Sequence, residues 1–365
     1  MPSIRSIFIG SCLLQMISSC SLSAPQTVPP EKTRVAVEQQ NAPSPQLVQA
    51  NAGNAAARYQ RPYGAKAPWN VPVANLARHS DSGWFSQLLW DKAPSSRPGN
   101  FNLGFDEYTY PVYYVEDATG NFPVRTKWAS NLDGVTIPWN PEWRAAPGND
   151  SQIILLDRAN GREWNFFQVR FSNNTIIATN ANLVPGDYRT RTSGFPPSRG
   201  AGIPYLAMLV RPEEIAAGKI EHALSMPIRI PSGEYFVAPA TKLENANGKE
   251  GIPQAMRFAL DVTEADIQKW AARFGSDSSQ TRRSAVVIAR ALRDYGWFIT
   301  DVSGGATFQF EANVSARSEW AKLGLARKLG PEGTVLPLDL MDGLITPDRI
   351  YAIVSSQKYP PNLRP

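Results

Sequence analysis

Cysteine and histidine are nearly missing from this chain, with two of each in 365 residues. Both cysteines, Cys12 and Cys20, stand within the first 20 residues. The fold beyond them has no internal disulfide and no thiolate for a metal. It must be held by its apolar core, which a chain of this length can build. His79 and His222 are too few for a histidine-built zinc centre, and no H-E-x-x-H pair occurs. There is no G-x-S-x-G elbow, no Walker loop and no internal repeat. The acidic loop "GFDEYTY" (residues 104–110) lacks EF-hand spacing, and no cofactor or metal is expected. Charge of one sign is scarce as well. The formal net charge is +5; loss of residues 1–19 would remove Arg5 and no acid, leaving 36 bases against 32 acids, or +4. These bases form no arm or run, so nucleic acid is not an expected partner.

What is present begins with an export signal. Arg5 precedes a short apolar core, "IFIGSCLLQMI" (residues 7–17), too short to span a bilayer as a stop-transfer helix. The core ends in "ISSC", which resembles a bacterial lipobox with Cys20 as the acylated residue. The alternative is an ordinary signal peptide cut near "LSA" (residues 22–24). Either way the protein leaves the cytoplasm, and the lipobox places it in the cell envelope, attached to the membrane by a lipid at Cys20. Residues 21–68 are rich in Pro, Gln, Ala and Asn and read as a disordered tether.

Aromatic density then rises, and residues 69–355 read as a single β-rich domain, followed by a tail over 356–365. "YTYPVYYVED", "QIILLDR", "NFFQVRF", "TIIATNA", "FVAPA" and "MRFALD" have the β-branched and aromatic character of strands, with "DRANG" as a hairpin turn. Few helices are expected before the C-terminal third. There Thr263, Asp266 and Gly275 bound one, and Ala285, Ile288, Ala289 and Leu292 form the apolar face of a second that stops at Gly296. "WFITDVSGGATFQFEA" (residues 297–312) predicts a hairpin, and "LPLDLMDGLI" (residues 336–345) a last helical turn or two. The whole pattern predicts a mainly β fold: a β-sandwich or jelly-roll-like core with a few decorating α-helices.

Candidate site residues are carboxylates in unusual places and the rare histidine. In "LVRPEEIAAGKIEHAL" (residues 209–224), Pro212 suits a helix start, and Glu213 and Glu214 suit its first turn. Glu214 and His222 are candidate catalytic groups; the alternative is helix-start chemistry and a satisfied buried or surface histidine. Asp157 is a third candidate, or simply closes an Asx turn beside "RANG", and Asp150 reads as a turn residue. Asp301 follows the apolar "WFIT", where a carboxylate needs a turn role or a polar partner such as Arg or His222. Asp150, Trp164 and Arg211 are candidate substrate-binding residues.

The order of "DSQIILLDRANGREWNFFQ", "AGIPYLAMLVRPEEIAAGKIEHAL", "YFVAPA" and "RALRDYGWFITDVSGG" is similar to a group of secreted bacterial proteins of unassigned activity. The resemblance covers roughly residues 110–312. It implies placement outside the cell and a shared fold. Asp150, Asp157, Glu214, His222 and Asp301 fall on its pattern, whereas a tail motif expected after the last hairpin has only a loose echo in "SEWAKL".

Ten Trp and twelve Tyr offer faces for sugar rings, and paired carboxylates are the usual machinery of glycosidic cleavage. The leading expectation is therefore a lipid-anchored carbohydrate-active enzyme, hydrolase or lyase, acting on a polysaccharide or glycan through Asp157, Glu214, His222 and Asp301. In the lyase form His222 would be the base. The alternative is a non-catalytic glycan-binding or scaffolding envelope lipoprotein; an acid peptidase has no motif behind it.

Overall fold

The computed structural model of the protein describes residues 60–196, 198–244, 250–325 and 339–362. The export signal, Cys20 and most of the proposed tether lie outside the described residues. After a first helix, α1 (Ser82–Lys92), come strands β1 (Asn102–Gly104), β2 (Val112–Tyr114), β3 (Gly120–Thr126), β4 (Thr136–Trp139) and β5 (Ile153–Asp157). Strands β6 (Arg162–Phe167), β7 (Arg170–Ser172), β8 (Thr175–Ala178) and β9 (Asn180–Leu183) follow. The short α2 (Pro212–Ala216) precedes β10 (Leu224–Ile228), β11 (Pro231–Val237), β12 (Ile252–Gln254) and β13 (Arg257–Leu260). Helices α3 (Glu264–Ala271) and α4 (Gln280–Asp294) lead to β14 (Trp297–Val302), β15 (Thr307–Gln309), α5 (Asn313–Lys322), β16 (Ile350–Ile353) and β17 (Lys358–Tyr359). The fold is mainly β. Among the described residues, no helix is long and apolar enough to cross a membrane.

Two four-stranded sheets, ordered β2-β5-β6-β9 and β4-β3-β8-β7, pack in a sandwich-like arrangement. Strand β5 shows why its sequence, Ile-Ile-Leu-Leu-Asp, does not alternate with polar residues. Ile153 and Leu155 join Trp164 and Phe166 of β6 against Val124, Ile137, Trp139 and Ile176 of the facing sheet. Ile154 and Leu156 point the other way, into the larger core of the molecule. A strand covered on both faces needs apolar residues at every position.

That larger core sits on a third sheet, ordered β10-β14-β13-β16. Helix α4 turns Ala285, Ile288, Ala289 and Leu292 into this core, all four at most 0 % exposed. Helix α3 starts as its sequence predicts. Asp266 N donates to Thr263 Oγ1 at 3.1 Å, and Thr263 N donates to Asp266 Oδ2 at 2.9 Å.

Five readings of the sequence are corrected or completed. Residues 297–312 do not form a hairpin: β14 lies between β10 and β13, and β15 pairs in parallel with β1. Trp297 to Thr300 are buried without alternation, as a central strand requires. The tether does not extend to residue 68. Tyr63 and Ala67 are core residues, and Asn70 Nδ2 donates to the carbonyls of Pro62, Tyr63 and Gly64, which folds this polar stretch back onto the domain. The C-terminal tail is also packed, since β17 pairs with β11 and the Tyr359 ring stacks on Phe236 at 5.1 Å. Finally, α1 is an unforeseen early helix. Its apolar residues form no clean stripe, and Trp84 is half exposed, so its sequence carries little helical periodicity. In the described part of residues 336–345, the chain from Asp339 forms successive turns and no helix.

Candidate functional site

The four candidate catalytic residues do not share one cleft. Asp157 ends β5 and closes the β5–β6 turn: Oδ1 accepts from Asn160 N at 2.9 Å, and Oδ2 from Asn160 Nδ2 at 2.7 Å. That is the Asx-turn role. Trp164 is 4 % exposed and belongs to the sandwich core, so it presents no face to a ligand.

Glu214 and His222 are brought together, but inside the protein. His222 Nε2 lies 3.0 Å from Glu214 Oε1, and the residues are 1 % and 0 % exposed. The contact joins opposite charges when the imidazole is protonated. His222 Nδ1 donates to Ala223 O at 2.8 Å, and Glu214 Oε2 accepts from Arg211 N at 2.9 Å as part of the α2 capping box. Burial lowers the imidazole's proton affinity, but the charge and hydrogen bonding of Glu214 outweigh it, and the pKa is raised. The pair fastens α2 to the entry of β10. Arg211 is likewise engaged with Glu311, Tyr114 and Glu213.

Asp301 and Asp150 do meet, in a cleft of about 400 Å³ whose other principal residues are Trp128, Gln152, Ser198 and Glu244. Each side chain arrives on a different element. Asp301 stands near the end of β14, and Asp150 and Gln152 lie in the turn before β5. Glu244 lies beyond β11, where its N–H donates to the buried Gln254 Oε1 at 2.9 Å. Trp128 follows β3, and its N–H donates to Thr179 O at 3.0 Å. The loop 198–202 closes the floor: Ala201 N donates to Thr300 O, and Thr241 N to Ala201 O. Arg199 anchors this loop. Its buried guanidinium donates to Gln309 and Ser225 and to the carbonyls of Pro204, Tyr205 and Ala207.

The expectation that Asp301 needs a polar partner holds, but the partner is Glu244 and not His222. Val302 N donates to both Glu244 Oε2 at 2.6 Å and Asp301 Oδ1 at 3.1 Å, which sets the two carboxyls side by side. Gly200 N donates to Asp301 Oδ2 at 3.2 Å. Burial of its carboxyl, then the hydrogen bond and charge of Asp301, push Glu244 up to about 9. Glu244 as a residue is open to solvent at the cleft rim while its carboxyl turns inward, so water screens part of this shift. Glu244 thus keeps its proton at neutral pH. Asp150 is raised too, by burial and then by the charge of Asp301.

Two enclosed polar atoms near the cleft have no partner among the described residues. Gln152 is 5 % exposed; its Nε2 donates to Asp150 Oδ2 at 3.2 Å, and its Oε1 has no partner among the described residues. Ser198 Oγ is enclosed and has none among them as well. At the rim Trp128 is 54 % exposed and stacks edge-shifted on Phe167, with centroids 6.1 Å apart. No group of three or more His, Cys, Asp or Glu suited to a metal occurs among the described residues.

Sequence reasoning missed Glu244, Trp128, Gln152, Ser198 and Gly200. The Trp128 and Glu244 loops carry no periodicity and no motif. The one available signal was Asp301 itself, a carboxylate in an apolar strand that had to find a partner. The chain matches no family model, no curated protein and no solved structure.

Proposed function

We propose that the protein is a carbohydrate-active enzyme of the cell envelope, lipid-anchored at Cys20, that hydrolyses a glycan in the Asp150–Glu244–Asp301 cleft. The observation that carries this reading is the side-by-side placement of the Glu244 and Asp301 carboxyls in an open cleft, which raises Glu244. A carboxyl kept protonated at neutral pH is what a general acid requires.

The exposed face of Trp128 takes a sugar ring. Glu244 gives its proton to the glycosidic oxygen as the C–O bond breaks. Asp150 takes a proton from the water whose oxygen forms the new bond to the anomeric carbon. Asp301 does not fill this second role: it touches Glu244, closer than the ~5 Å or more that separates the working carboxyls of glycosidases. It is a positioning residue that keeps the proton on Glu244. The lyase form loses its base, because His222 is sealed in the interior.

Reducing-end release from a panel of envelope and environmental polysaccharides tests the reading. Glu244→Gln and Asp150→Asn should each lower turnover by at least about 10²-fold with the fold intact. If the wild type binds a glycan without turnover, and Trp128→Ala weakens that binding, the protein is a binding module. If it neither binds nor cleaves any glycan, the carbohydrate reading is wrong.

A further inference from the structure

A second depression, of about 270 Å³, lies on the solvent face of the sheet β4-β3-β8-β7. Strand register builds it. Val124 of β3 and Ile176 of β8 face the sandwich core, so the next residues, Arg125 and Ile177, face outward. Ile177 is also the register partner of Arg170 on β7. Arg125, Ile177 and Arg170 therefore form one row across three strands, with the two arginine Cα atoms about 10 Å apart, two strand spacings. A second row, Lys127, Thr179 and Gln168, stands two residues along each strand. Lys127 N donates to Ala178 O at 3.0 Å, and Thr179 Oγ1 donates to Gln168 Oε1 at 2.7 Å. All six residues line the depression.

Its three cations have no counter-charge. Arg125, Lys127 and Arg170 are exposed, and among the described residues their side chains make no hydrogen bond or ion pair. Asp133, in the β3–β4 loop, accepts from Thr126 N at 2.9 Å and forms no ion pair with Arg125. Among the described residues no carboxylate lines the depression. Elsewhere on the surface Arg78 is neutralised by Asp261, Arg97 by Asp342 and Arg290 by Glu264. Three like charges gathered in a concavity focus the field and draw anions to it.

The depression borders the glycan cleft. Lys127, Gln168 and Thr179 are the chain neighbours of Trp128, Phe167 and Asn180, which line that cleft. Gln168 N also donates to Asp150 O at 2.7 Å. Successive side chains leave a strand on opposite sides, so one rim carries the cations on its outer side and Trp128 on its inner side. The cleft itself holds Asp150 and Asp301, whose charges repel an anion. A charged ligand is therefore gripped beyond the rim, and only a chain long enough to cross the rim uses both surfaces. The concave shape does not fit a flat lipid surface.

We infer that the Arg125–Lys127–Arg170 face binds the acidic groups of an anionic polysaccharide whose chain crosses the rim at Trp128 into the cleft. The choice of a glycan among polyanions rests on the glycan reading of that cleft; the demand for negative charge does not.

Calorimetric titration of the full chain, as wild type and as Glu244→Gln to prevent cleavage, compares polygalacturonate with its fully methyl-esterified form, which has the same backbone and no charge. The acid form should bind at least about tenfold more tightly, and raising salt from about 0.05 to 0.5 M should remove most of that difference. The combined variant Arg125→Gln, Lys127→Gln and Arg170→Gln should weaken the acid form by about tenfold or more and leave the ester unchanged. A control, Lys66→Gln, Lys269→Gln and Arg317→Gln, removes the same charge from exposed positions outside both depressions and should weaken it by less than about twofold, because salt screens distant charges. Near-UV circular dichroism checks folding; should the combined variant fail to fold, the three single variants, each expected to weaken the acid form by about twofold, decide. Absence of binding, equal affinity for acid and ester, or an equal loss in variant and control overturns the proposal. Tighter binding of single-stranded DNA than of polygalacturonate, lost in the same variant, overturns the choice of a glycan. Charge-dependent binding without turnover of any glycan supports the face and removes the hydrolase, whereas turnover of a neutral glycan without charge-dependent binding removes the face alone.

Discussion

The sharpest prediction concerns Gly200. A Cβ at this position would lie 2.1 Å from Asp301 Oδ1, 2.3 Å from Glu244 Oε2 and 2.5 Å from Glu244 Cδ. Ordinary contact with a Cβ begins at 3.4 Å, so Gly200→Ala must push one or both carboxyls away by about 1 Å. The backbone itself tolerates alanine, since Gly200 is outside the left-handed region. The perturbation is therefore aimed at the pair. Carboxyls at the ends of flexible side chains can swing aside, so the cost in stability should stay within about 1–3 kcal/mol. The chemical effect should be larger. Once separated from Asp301, Glu244 loses the hydrogen bond and much of the charge that raise it, and its pKa should fall from about 9 toward the ordinary carboxylate range. If the pair is the acid, a displacement of about 1 Å should lower turnover by about 10²-fold. The assay is ¹³C NMR titration of the Glu244 carboxyl in the wild type and in Gly200→Ala. Gly83→Ala is the control, since nothing lies within 4 Å of a Cβ there. An unchanged Glu244 titration in Gly200→Ala would refute the idea that the close approach at Gly200 holds the pair together.

Further tests follow from the same geometry. Glu244 is protonated in the folded protein over a range in which its unfolded form is ionised. Stability should therefore fall as pH rises from about 4.5 toward 9, and Glu244→Gln should flatten that decline, read as Tm against pH. An equal slope in both proteins would count against the raised value. His222→Ala leaves Glu214 buried without its cation and should destabilise by about 3–5 kcal/mol in urea unfolding, where a catalytic histidine would leave stability unchanged. Because the imidazole's folded pKa is raised, the pair's contribution is complete below the unfolded value of about 6.5 and is lost as pH climbs through the folded one. Trp164→Ala should cost about 3–5 kcal/mol, and Trp128→Ala within about 0.5 kcal/mol while weakening glycan binding; the reverse order would contradict their burial. Cys20→Ala should move the protein from the membrane fraction to the soluble one, and continued membrane partitioning would discard the lipobox.

The sequence by itself determined what depends on neighbours along the chain. Thr263 and Asp266 cap a helix three residues apart, Pro212 starts α2, and Asp157 bonds a residue three positions on. The apolar run of β5 announced a strand for the same reason. Tertiary structure alone decided the rest. Residues 297–312 look like a hairpin because their local pattern is strand, turn, strand, but β14 and β15 find better partners in distant strands. The same limit hid the site. Asp301 and Glu244 are 57 positions apart, and Asp150 is 94 positions before Glu244. No spacing rule links such residues; only the packing of sheets and the glycine at position 200 bring their carboxyls together. Glu214 and His222 illustrate the converse. They sit eight positions apart and do meet, but whether the meeting place is a cleft or the interior depends on what the rest of the chain folds over them. Here it is covered, so a pair that reads as chemistry in the sequence serves to hold the fold.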